Sequence, residues 1–189
     1  EKSYFDSNHS IEAMLRTLFN SDFFKSEKVY YKKIKSPTEL VVQILKITEE
    51  FDGPNFELSS RNNQITYMGQ QLLNPPSVEG WHQGLEWIET GSITERVNFC
   101  VQQMSDLSNP GILKIINFIL NSDIQNISTS DIIDKILNEI GGLDISQNTR
   151  ESLEDFINNI DLSKSSLADE STIANVFGVI GSVPEFQRC

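Results

Sequence analysis

A chain of 189 residues is long enough to bury a full hydrophobic core, and 38% hydrophobic against 22% charged residues excludes a disordered segment. A net charge of −12, from 15 basic and 27 acidic residues, argues against binding to nucleic-acid phosphates or to an anionic membrane face. No apolar run approaches the ~20 residues that span a bilayer; nothing at Glu1 resembles a signal peptide, so the true N-terminus is expected to be missing.

The first helical signal is "HSIEAMLRTLFNSDFF", with Ile11, Met14, Leu15 and Leu18 at helical spacing. A basic cluster follows, "KSEKVYYKKIK" from Lys25 to Lys35. Its tyrosines would suit a nucleic-acid stripe, but in so acidic a chain a solvated connector is the better reading. In "SPTELVVQILKITEEF", Ser36 caps a helix, Pro37 takes its first position and Glu39 completes a capping box. Leu40, Val41, Ile44, Leu45 and Ile47 supply its buried face, and Asp52-Gly53-Pro54 stops it.

A third segment runs through Ile65, Met68 and Leu72. In "SITERVNFCVQQM", Ser92 and Glu95 form a second capping box, and Ile93, Arg96, Val97, Cys100, Val101 and Met104 share a stripe. "NPGILKIINFIL", "STSDIIDKILNEIGG", "TRESLEDFINNI" and "DESTIANVFGVIGS" complete the set, with Gly141 suited to a left-handed C-cap. No sustained alternation suggests a strand. The pattern predicts an all-α, irregular domain of about eight helices over 1–189, with a peripheral insertion at 121–164. The faces of Ile11, Leu15 and Leu18, and of Val176, Phe177 and Ile180, are expected to be only partly covered.

One stretch breaks the helical pattern: "GQQLLNPPSVEGWHQGLEWIETG", residues 69–91. It holds both tryptophans and one of the two histidines. As a site, Glu79 or Glu86 would polarise His82 as a general base, and the indoles would stack on a sugar or an aromatic ligand. As a clasp, Pro75 and Pro76 stop the preceding helix, Gly80 and Gly84 turn the backbone, and Trp81 and Trp87 bury large areas. The clasp reading is favoured. The candidate binding or clasp residues are Asn74, Pro75, Pro76, Gly80, Trp81, His82, Gly84, Trp87 and Arg96.

Other chemistry is poorly served. His9 and His82 are far apart and no CxxC or HExxH occurs, which speaks against zinc. "NSDIQNISTSDI" begins like a calcium loop at Asn121, Asp123 and Gln125, but Asn126 replaces the turn glycine and Ile132 the closing Glu. There is no G-x-S-x-G elbow or phosphate-binding glycine loop. No catalytic residue, metal or cofactor is assigned. Cys100 reads as a buried apolar residue; its pairing with Cys189 is open.

The segments "HSIEAMLRTLFNSDFF", "KIKSPTELVV", "MGQQLLNPPSVEGWHQGLEWIETGSITERVNF" and "GSVPEFQRC" resemble, in order, the C-terminal part of the bacterial "domain of unknown function 1800" family. The resemblance implies a larger, mainly helical domain, and residues 121–164 match little of it. It also implies export to the periplasm or cell surface and, for many members, a sulfatase-like neighbour. It supplies no catalytic residues. Relatives often carry proline where this chain has His82, which weakens a catalytic histidine.

Two functions follow as expectations. One is a protein-interaction or envelope-assembly module, partnered by its own upstream portion or by another envelope protein. The other is a piece of a hydrolase-like or carbohydrate-acting enzyme whose main catalytic groups lie outside this chain.

Overall fold

The computed structural model describes residues 1–121, 128–160 and 169–189, the side chain of Thr90 excepted. Among these the chain is all-α, with nine α-helices, no strand and two isolated backbone bridges. The helices are α1 (Lys2–Asp6), α2 (Ile11–Phe19), α3 (Pro37–Thr48), α4 (Leu58–Tyr67), α5 (Thr90–Met104), α6 (Pro110–Asn121), α7 (Thr129–Glu139), α8 (Gln147–Asn158) and α9 (Glu170–Ser182). The five-residue α1 is the one beyond the predicted eight. The chain divides into two compact units, residues 1–33 with Cys189, and residues 34–188.

In the first unit Ser10 caps α2 by accepting from Ala13 N, and Ser3 Oγ donates to Ala13 O at 3.0 Å, tying α1 to α2. Lys33 and Cys189 exchange backbone hydrogen bonds of 3.1 and 2.8 Å. Neither helix buries a residue. Ile11, Leu15 and Leu18 stay exposed, and so do Phe5, Phe19, Phe23 and Phe24.

The second unit holds the core. The predicted capping box at α3 is present: Ser36 Oγ accepts from Glu39 N, and Glu39 Oε2 accepts from Ser36 N at 2.8 Å. Leu40, Val41 and Ile44 on this helix are fully buried, whereas Leu45 and Ile47 are only half-buried against the core. At the start of α6, a Cβ on Gly111 would overlap the Ile47 carbonyl oxygen, so α6 sits directly on the end of α3. α5 and α9 approach as closely: a Cβ on Gly181 would lie 2.6 Å from Met104 Sδ and 3.1 Å from Cys100 Cβ. A side chain at Gly181 would force Met104 to shift.

Two expectations are corrected. Val176, Phe177 and Ile180 are buried in the core, so the chain itself covers that face of α9. Ser92 does not cap α5, which starts at Thr90; its hydroxyl donates to the Trp87 carbonyl (3.0 Å), with the Glu89 carbonyl at 3.1 Å. Within 121–164, α7 and α8 bury Ile133, Ile136, Leu153 and Ile157 in the same core. Residues 122–127 and 161–164 of that segment lie outside the described residues.

Candidate functional site

Segments distant in sequence meet where α3 begins. Gln70 Oε1 accepts from Thr38 N (2.9 Å) and Thr38 Oγ1 (2.8 Å), satisfying a backbone donor that the first turn of a helix leaves open. Arg96, on α5, is fully buried. Its Nη2 donates to the Lys35 carbonyl and its Nε to Gln187 Oε1, both at 2.9 Å. Gln187 Nε2 donates in turn to the Gly181 carbonyl (2.9 Å) and approaches Cys100 Sγ (3.4 Å). Lys35 Nζ donates to the Phe186 carbonyl at 2.6 Å and lies 4.7 Å from the Phe186 ring centroid. Lys35 N donates to the Gln187 carbonyl at 3.0 Å, beside the Ile34–Arg188 bridge.

The electrostatics follow from burial. Loss of water pushes the Arg96 guanidinium pKa down, while Cys100 nearby acts in the other direction. Burial pushes the Cys100 thiol up to about 11, against the Gln187 N–H, Arg96 and Lys35. Both cysteines are free thiols, Cys100 buried and Cys189 exposed. The guanidinium is fully buried, with Nε committed to Gln187 and Nη2 to Lys35. Its chemistry is that of a polar tie joining the start of α3, α5 and the tail after α9. Its Nη1 has no protein partner.

The loop of residues 69–91 leaves this tie and turns outward. Trp87 is 6% exposed and packs near Gly69, so it anchors the loop as the clasp reading expects. Trp81 departs from that reading: it is only partly buried, its Nε1 donating to the Gln71 carbonyl at 2.9 Å. Asn74 N also donates to that carbonyl, and Asn74 Nδ2 to Gln71 Oε1 at 2.7 Å. Pro75 and Pro76 are exposed. Gly80 (φ 98°) closes a tight turn on Ser77, and Gly84 (φ 61°) opens a 3-10 turn over Gly84–Ile88. His82 Nδ1 lies 3.1 Å from Glu86 Oε2, with both side chains largely in water. The candidates therefore split: Arg96 and Trp87 sit in the packed interior, while Asn74 to Trp81, His82 and Gly84 form a surface loop.

A family model described as "Protein of unknown function (DUF1800)" matches residues 1–188. The chain belongs to the DUF1800 family. No curated protein and no solved structure matches it. The residues that carried the DUF1800 resemblance now have places. Lys35, Ser36, Gln70, Arg96, Phe186 and Gln187 form or adjoin the polar tie, and Glu185 accepts from Ser146 N (3.0 Å) and Thr149 Oγ1 (2.9 Å) at the start of α8.

Residue-by-residue reading missed Gln70, Lys35 and Gln187 as partners, although each stood in a quoted motif. It also missed Leu73, Val78 and Leu85, exposed apolar side chains in a Pro/Gly-rich loop. Among the described residues, no group of three or more His, Cys, Asp or Glu is placed to hold a metal ion. Asp123, Gln125 and Asn126 of the calcium-like run lie outside the described residues, and Ile132 is a core residue of α7. No helix among the described residues is long and apolar enough to cross a membrane.

Proposed function

We propose that this DUF1800 chain is an exported protein-interaction module that helps organise an envelope assembly, docking through residues 1–33. The observation that carries the reading is the imbalance within those residues. α1 and α2 bury nothing, while Phe5 (63% exposed), Ile11, Leu15, Leu18 and Phe23 (71% exposed) face water. So dense an apolar surface is uncommon on a soluble monomer and marks an interface. Export and a sulfatase-like neighbour enter only through the family resemblance. The same holds for an upstream portion of the domain and for residues 121–164 as an insertion. An obligate contact here buries more than about 2,000 Å2 in total.

The test is to express residues 1–189 and measure mass in solution together with binding of a dye that reports exposed apolar surface. Strong dye binding, or a mass above the monomer, supports the reading. A stable monomer with no dye binding overturns it.

A further inference from the structure

We propose that the loop of residues 69–89 in one copy docks on the apolar, lysine-bearing segment of residues 5–33 in a second copy. This rests on the reading of residues 1–33 as a docking face and names its occupant. Three observations carry it.

The first is strain on display. Leu73 adopts φ 62°, in the left-handed region that costs a leucine free energy, yet its side chain is 97% exposed. The conformation is imposed by the surrounding loop: Asn74 N and Trp81 Nε1 both donate to the Gln71 carbonyl, and two prolines follow. A leucine fixed outward, with Val78 and Leu85 also exposed, is a preformed knob that loses little conformational entropy on docking.

The second is charge. Residues 69–91 carry three glutamates and no lysine or arginine, whereas residues 25–33 carry four lysines and one glutamate. Glu79, Glu86 and Glu89 are exposed, as are Lys25, Lys28 and Lys32. In a chain of net charge −12, like copies repel at long range, and the lysine segment is where an acidic loop finds attraction.

The third is apolar complementarity. The lysines directly follow the exposed Phe23 and Phe24, so one segment offers aromatic side chains and cations to a loop that offers exposed aliphatic side chains and carboxylates. Two different faces that fit each other pair either once, in an extending row of copies, or twice, in a closed reciprocal dimer.

The experiment uses two double variants of the full 189-residue chain. One is Leu73→Glu with Val78→Glu; the other is Phe23→Glu with Lys28→Glu. All four positions are exposed, and unchanged helicity by circular dichroism confirms folding. In sedimentation, the unaltered chain gains mass above the monomer with concentration and loses it as salt rises. Each variant alone associates roughly tenfold or more weakly. An equimolar mixture of the two recovers a species that stops at two chains, because each supplies the face the other lacks. A mixture that stays monomeric, or variants that leave the mass unchanged, overturns the proposal. An unaltered chain that is monomeric but binds apolar dye also overturns self-docking and leaves the face for a different protein. A monomer without dye binding removes both readings.

Discussion

α2 and α9 carry similar apolar stripes and met opposite fates. Ile11, Leu15 and Leu18 lie bare on α2, whereas Val176, Phe177 and Ile180 on α9 are sealed in the core. Spacing identifies the face of a helix that seeks cover; it does not say whether the same chain supplies that cover. What separates the two is the surroundings. α9 has Gly178 and Gly181 set against α5, so the helices approach without a Cβ between them, and the tail beyond it is tied to Arg96 through Gln187. α2 has Glu12 and Arg16 paired in water, and none of its residues is buried.

The most severe way to break this contrast is to remove the tie. Arg96→Ala strands Gln187 Oε1 and the Lys35 carbonyl and leaves a cavity, so urea denaturation should show a loss on the order of 4 kcal/mol. Arg96→Lys should recover little, because one ammonium cannot reproduce the planar fork that serves both acceptors. A loss below about 1 kcal/mol for the alanine variant would show that α5 and α9 hold together without the tie.

Closing the gap between the helices comes next. Gly181→Ala places a methyl 2.6 Å from Met104 Sδ. Methionine is flexible and yields, so the cost should fall toward the lower end of about 1–3 kcal/mol, read from the urea midpoint. No change would mean that α9 sits on α5 more loosely than the glycines imply.

Much of the fold was legible because its signals are local. Ser36, Pro37 and Glu39 lie within four residues, and the capping box they predict is present. Ser92 and Glu95 have the same spacing and fail, because the Trp87 carbonyl takes the serine hydroxyl and the helix has already begun at Thr90. No local pattern links Arg96 to Gln187, which are 91 positions apart. The oddity of a guanidinium in an apolar stripe was the one local hint that it would need buried acceptors. The loop of residues 69–91 was visible as an interruption of helix, but burial within it was not. Trp87 is buried near Gly69, and Trp81 is held by one carbonyl at the surface, a difference that arises only when the chain folds back.

A smaller effect tests how the tail beyond α9 holds α8. Partial burial disfavours the Glu185 carboxylate, but the Ser146 N–H and the hydroxyls of Ser146 and Thr149 outweigh it and hold its pKa below the usual glutamate range. The folded state thus prefers the ionised form. Its contribution is complete above the unfolded glutamate value and is lost as pH falls through that value to the folded one. With the side chain partly in water, about 0.5 kcal/mol is expected. Glu185→Gln should flatten the acid limb of the stability curve by that amount, and an unchanged limb would place the acid sensitivity elsewhere.

The smallest expected effect on stability belongs to α2 and bears most on function. Leu15→Glu exchanges an exposed leucine for a residue of nearly equal helix propensity, on a helix that buries nothing. Unfolding free energy should stay within about 0.5 kcal/mol of the unaltered chain. Binding of an apolar-surface dye should fall, because the variant removes part of an exposed apolar stripe. A covered core face would respond the other way: a buried glutamate at Ile180 would destabilise the fold and raise dye binding as the core opened. If Leu15→Glu behaves like that core substitution, α2 is packed in solution. Its apolar stripe is then an interior surface of this chain, and the case for a docking face on residues 1–33 falls with it.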